Sequence, residues 1–181
     1  EKDAGFVLGF TKLFDLPRLD NFLEVGMELT KLAQPTDYSL AELNSWYIDQ
    51  NIRHGYTHKG QWIGAGIGSG SNLATIDLSW LNTDHKLGLV LERERHNSDF
   101  YYLAFEHNRD WNKYWVDYTI GIQGYTQIKE LMIQGRITRI TSLNYQWVNI
   151  RNNPDDAYIR PGNDLINWNF NLSVIYHLPS K

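Results

Sequence analysis

Cysteine is absent from all 181 residues, which excludes a disulfide scaffold and thiol chemistry. No run of 18 apolar residues occurs, so the chain holds no transmembrane helix. An excess of positive charge is also missing. The net charge is −4, with 17 basic against 21 acidic residues, and that leaves no basic footprint for nucleic acid. No signal-peptide pattern is visible; the chain opens on Glu1-Lys2-Asp3, as a mature terminus or a fragment would. No serine lies in a G-x-S-x-G nucleophile elbow. The glycine run GAGIGSG at 64–70 precedes no helical pattern, so it is not a dinucleotide-binding turn.

What the chain does have is aromatic side chains in alternation. Aromatics reach 14%, including 7 Trp and 11 Tyr, which favours strands and interfaces over helical bundles. Residues 164–178 show the pattern best. Ile166, Trp168, Phe170, Leu172, Val174, Tyr176 and Leu178 alternate with Asn167, Asn169, Asn171, Ser173 and His177, and only Ile175 breaks the polar row. Successive strand side chains point to opposite faces, so this segment carries one apolar and one amide-rich face.

The same period-two pattern recurs upstream, at 4–13, 19–33, 72–81, 85–96, 114–125 and 129–148. Glycines 64, 66 and 68 suggest one more strand, crowded on its glycine face, and 44–50 reads as a short strand or a helical turn. Residues 99–107 are mixed and aromatic. The total is about nine or ten strands, most near the roughly 9–11 residues that cross a bilayer at a tilt. Short connections (14–18, 96–99, 126–128) alternate with long ones (34–57, 108–113, 151–162). Outer-membrane barrels alternate in this way, with tight periplasmic turns and longer external loops. The expected fold is therefore all-β, an antiparallel transmembrane β-barrel forming one domain over 1–181, in contact with outer-membrane lipid. If the short turns are periplasmic, the first and last strands both run inward. Either 44–50 hides a strand that repairs the parity, or the chain is the C-terminal part of a larger barrel.

The stretch 53–72, RHGYTHKGQWIGAGIGSGSN, resembles the capsule-assembly outer-membrane proteins of the Wzi type. The matching positions are His54, Gly55, Tyr56, Gly60 and Gly64, in an H-G-Y-x-x-x-G-x-x-x-G pattern followed by a glycine-rich segment. The strand at 23–30, with Glu24 and Glu28 on one face, resembles the acidic strand that precedes this loop in the family. The resemblance is specific over about twenty residues, in the C-terminal half of the family. It implies a bacterial outer-membrane barrel that acts as a surface lectin, retaining or organising capsular or extracellular polysaccharide. No enzymatic activity and no cofactor are implied.

Candidate sugar-binding residues lie in or near the loops: Trp46, Arg53, His54, Tyr56, His58, Trp62, Trp111 and Asp155. Aromatic rings there would stack on sugars, while the polar groups hydrogen-bond; the competing role for the rings is the interfacial girdle that barrels carry anyway. For Trp80, Trp147 and Trp168 the girdle is the better reading. Glu92 and Glu94, about 7 Å apart on one strand, have the separation of an inverting glycosidase pair. Interleaved Arg93 and Arg95, with Arg136 able to pair across the lumen, favour a charged interior instead. Arg93 and Arg95 continue the row of Leu87, Leu89 and Leu91 and read as cations snorkelling at one rim. His54 and His58 lack the companion ligands of a metal site. A porin-type channel is the alternative function, and a barrel enzyme on lipid or glycan a further one.

Overall fold

A computed structural model describes residues 4–16, 21–34, 45–49, 51, 55–104, 114–148 and 164–177. Seven long strands form one sheet: β1 (Phe6–Leu16), β2 (Asn21–Lys31), β5 (Asn72–Leu81), β6 (His85–Arg95), β7 (Val116–Ile128), β8 (Leu131–Leu143) and β9 (Leu165–Tyr176). They pair in chain order and every pairing is antiparallel. A two-residue hairpin, β3 (Thr57–His58) and β4 (Gln61–Trp62), stands apart from the sheet, and one helix, α1 (Ser98–Ala104), follows β6.

The chain is thus all-β and antiparallel, but the sheet is open. β1 and β9 are its two edges, and both run in the same direction. Residues 45–49 form a turn rather than the strand that would repair the parity. Connections at one end are short (17–20, 82–84, 129–130); at the other they are long (32–71, 96–115, 144–164). The alternation holds with shifted boundaries. Residues 96–99 are no hairpin turn but the start of a long connection, because Asn97 caps a helix there. Its side chain accepts a hydrogen bond from Phe100 N at 3.1 Å, and its carbonyl accepts one from Tyr101 N at 3.1 Å.

Three further sequence expectations fail for local reasons. The glycine-rich run 64–70 is a chain of turns, not a strand. Gly64 and Gly68 have positive φ (155° and 76°), and a Cβ on either would strike the Tyr47 ring or the Trp62 indole nitrogen. β8 stops at Leu143, since Asn144, Gln146 and Trp147 all take positive φ and curl the chain into a 3₁₀ turn. Trp147 is consequently 9% exposed in an aromatic cluster, not part of a surface girdle. Among the described residues seven strands reach a length of 10–13 residues, where the sequence pattern suggests about nine or ten strands, most near spanning length.

Register sorts the side chains, because directly paired residues share a face. One row across the sheet reads Phe10, Met27, Ile76, Leu91, Ile120, Arg139, Trp168; the next reads Lys12, Val25, Leu78, Leu89, Ile122, Ile137, Phe170. No described segment covers these two rows, and even on a central strand Ile122 is 59% exposed; cover begins at the long-connection end, where Val116 of the same face is buried against Tyr101 and Tyr102 of α1. The opposite face is polar, with Glu24, Ser79, Gly88, Gln123, Arg136 and Asn171 in one row. All seven carboxylates of the long strands lie on it: Asp15, Glu24, Glu28, Asp77, Glu92, Glu94 and Asp117. Lys86 meets Glu24 there at 2.7 Å and Arg136 meets Glu92 at 2.9 Å. Asp77 takes hydrogen bonds from Ser79 and Gln123.

The aromatic core sits at the long-connection end. Tyr101 and Tyr102 of α1 pack with Tyr114, Val116 and Trp147. Tyr101 lies 5.4 Å from Tyr114, and Trp115 crosses Trp147 edge-on at 5.5 Å. Such pairs contribute about 0.5–1.5 kcal/mol each beyond the area they bury.

Candidate ligand-binding lobe at the long-connection end

The connection 32–71 is tied to the sheet before it is free to present anything. Asn72, the first residue of β5, accepts hydrogen bonds from Leu32 N and Ala33 N at 3.2 and 3.1 Å. Buried Asp99, in the first turn of α1, accepts from Gln34 N at 2.9 Å and from Ser45 Oγ at 2.6 Å. Ser45 also meets Ser69 Oγ at 2.5 Å. Ser98 N donates to Gly70 O at 2.8 Å, and Asn97 N to Ser71 Oγ at 3.0 Å. One carboxylate therefore joins the 32–71 and 96–115 connections, an arrangement its position in sequence does not reveal.

Above this knot, Tyr47 organises the small hairpin. Its hydroxyl accepts from Ala65 N and its carbonyl from Tyr56 N, both at 3.0 Å. Its ring lies 6.0 Å from that of Trp62. Between β3 and β4, Lys59 and Gly60 both have positive φ (50° and 80°), the backbone of a two-residue hairpin turn. The result presents Tyr56, Trp62 and Ile63 to solvent, backed by Tyr47.

Of the eight residues picked from sequence, Tyr56, His58 and Trp62 lie on or beside this hairpin, with Trp62 on one face and Tyr56 and His58 on the other. His58 is exposed and pairs in register with Gln61. Trp46 is exposed as well but leans on Gly5 before β1. Arg53, His54, Trp111 and Asp155 lie outside the described residues. Tyr47 is one of the loop aromatics that the sequence offers for sugar stacking; the fold places it beneath Trp62, with its hydroxyl bonded to Ala65 N.

A second polar group lies under the lobe, on the carboxylate face of β6 and β7. His96 sits between Glu94 (Nδ1 to Oε1 3.4 Å) and Asp117 (Nε2 to Oδ2 2.9 Å), ion pairs when the imidazole is protonated. The Asp117 contact lacks hydrogen-bond alignment, so it is a charge contact more than a directional bond. Trp115 stacks on His96 at 4.1 Å and donates its indole N–H to Asp117 at 3.0 Å. Ser142 of β8 is the direct cross-strand partner of Asp117. The serine therefore neighbours the acid rather than the imidazole, the reverse of the order a nucleophilic relay needs. Glu92, committed to Arg136, is no free partner for Glu94 in glycoside hydrolysis. Among the described residues no group of three His, Asp or Glu side chains is arranged to hold a metal ion.

Further along the polar face is a hollow of about 670 Å³, lined by Lys86, Glu92, Gln123, Arg136, Asn169 and Asn171 among others. It offers amide and charged groups of both signs, the kind of surface that hydrogen-bonds sugar hydroxyls or water. No protein-family model matches the chain, and neither the curated proteins nor the solved structures hold a match.

Proposed function

We propose that this sheet is wall of a bacterial outer-membrane β-barrel whose long-connection end binds capsular or extracellular polysaccharide, as the Wzi-type resemblance implies. The observation that carries the membrane reading is the uncovered apolar face. A soluble single-layer sheet would leave those rows in water, far beyond the few hundred Å² of apolar patch that soluble monomers expose. From Ile166 to Tyr176 the apolar row extends about 33 Å along β9. At a barrel tilt of about 40° that is about 25 Å tall, the height of the lipid-facing band of such barrels. An all-antiparallel barrel built on this sheet takes an odd number of further strands between β9 and β1, since both edges run the same way.

The sugar-binding reading is supported by two exposed rings on a turn-closed hairpin, Trp62 on one face, backed by Tyr47, and Tyr56 on the other. Rigid aromatic faces lose little conformational entropy when a pyranose ring stacks on them. The test is binding of purified capsular or extracellular polysaccharide to the full chain in detergent, followed by titration. Changing both Tyr56 and Trp62 to alanine is expected to weaken binding about tenfold or more; unchanged affinity would overturn the site. The polar hollow favours one second reading, a porin-type channel. Steady conductance in a planar bilayer, with no polysaccharide binding, would select it.

A further inference from the structure

The segregation of charge on the sheet leaves a remainder that neither ion pairing nor sugar binding uses. Of the seven cations on the long strands, only Lys86 and Arg136 share the acidic face, and both are ion-paired. Lys12, Lys31, Arg93, Arg95 and Arg139 lie on the apolar face, where the long strands place no carboxylate at all. Arg95 is engaged by the ring of Tyr114, 4.8 Å away. Arg93 and Arg139 have no acidic partner among the described residues.

These two arginines flank one feature. Arg93 on β6 pairs with Tyr118, and Arg139 on β8 pairs with Ile120, so β7 runs between them. Strand spacing and rise put their Cα atoms about 12 Å apart. Arg93 Nε lies 3.4 Å from the Tyr118 hydroxyl. Between them is a depression of about 390 Å³, with Ile76, Leu91, Ile120 and Thr141 in its lining. Arg139 lies four residues inside the end of β8, about 13 Å along the strand. A guanidinium at that depth in a lipid-facing surface is costly unless something neutralises it.

We propose that Arg93 and Arg139 bind the phosphate headgroup of an anionic lipid, with its acyl chains running from Leu91 and Ile120 along the strands over Leu89 and Ile122. A phosphate offers several acceptor oxygens to two guanidinium forks, and the Tyr118 and Thr141 hydroxyls can serve the same oxygens. The apolar floor gives the acyl chains a surface that a soluble anion would not use. The site rests on the reading of this face as lipid-facing, and its position places the lipid in the leaflet at the long-connection end.

The test uses the full chain purified in an uncharged detergent. Phosphatidic acid and phosphatidylcholine of equal chain length are added in turn, and retained lipid is measured by native mass spectrometry. Phosphatidic acid is expected to be retained at least about tenfold better. The double variant R93Q/R139Q should lose that preference, K12Q should keep it, and inorganic phosphate should not displace the lipid. Equal retention of the two lipids, or an unchanged preference in the double variant, overturns the proposal. Displacement by inorganic phosphate overturns the commitment to lipid. Should the double variant fail to fold, the single variant R139Q and the comparison of the two lipids on the unaltered chain still decide. Flotation with liposomes separates this site from the reading beneath it. A chain that floats without preferring the phosphate lipid loses only the site; one that does not float loses the lipid-facing face.

Discussion

Asp99 shows how much a single buried side chain can hold in place. It accepts a backbone N–H from Gln34 and a hydroxyl from Ser45, 65 and 54 residues away in sequence, and it is 7% exposed. Hydrogen bonds to a charged acceptor contribute about 1.5–3 kcal/mol each, and stranding their donors in a buried site adds to the loss. Asp99→Ala is therefore expected to destabilise the lobe by about 2–4 kcal/mol. The effect is local, because the seven-strand ladder does not pass through Asp99. Limited proteolysis should show faster cleavage within 32–71, while the far-ultraviolet strand signal stays constant. A variant with unchanged protease resistance would show that other contacts hold the lobe.

At the scale of the strand, the two faces make opposite demands. Ile122 stands in the middle of the apolar face of β7, between Leu89 and Ile137. Thr119, three residues away on the same strand, belongs to the polar face opposite Glu92. If the apolar face meets lipid, Ile122→Arg places a charge near the bilayer midplane and should cost about 2–4 kcal/mol. Thr119→Arg sits beside carboxylates and should cost under about 1 kcal/mol. Urea titration of the two variants in liposomes measures the difference. Equal costs would mean that the faces are not in different media. The alternation that sets up this contrast is readable from sequence, since a period of two has one structural meaning in a run this long.

At the scale of the molecule, the described residues form an open antiparallel sheet with a polar face, an apolar face and one elaborated end. Because the chain holds no cysteine, single cysteines can be placed without background. In liposomes, Leu89→Cys on the apolar face should resist a water-soluble maleimide, whereas Gln123→Cys on the polar face should react readily. Protection of both would indicate a lumen closed to solvent. Reaction of both at equal rates would remove the case for a membrane wall. The two edge strands run in one direction, which limits how the wall is completed: two copies sharing one orientation could meet only through a parallel pairing, while an odd number of further strands allows antiparallel pairing throughout.

The sequence by itself determined the seven long strands, their two faces and, with shifted boundaries, the alternation of short with long connections. These depend on local chemistry: side chains at every second position and turn-forming residues between them. It did not determine where the long-end elements begin. Asn97, Ser98 and Asp99 are a helix-start signal that aromatic residues 100–102 masked, and three positive-φ residues ended β8 five residues before the end of the strand expected over 129–148. Only the tertiary structure joined Asp99 to Ser45, set Tyr47 beneath Trp62, and turned the glycine run from a strand into packed turns. It also placed Arg136 on Glu92 and left Arg93 and Arg139 without a carboxylate among the described residues. Pairing of that kind depends on register, and register is fixed by the cooperative fit of whole strands rather than by any one segment.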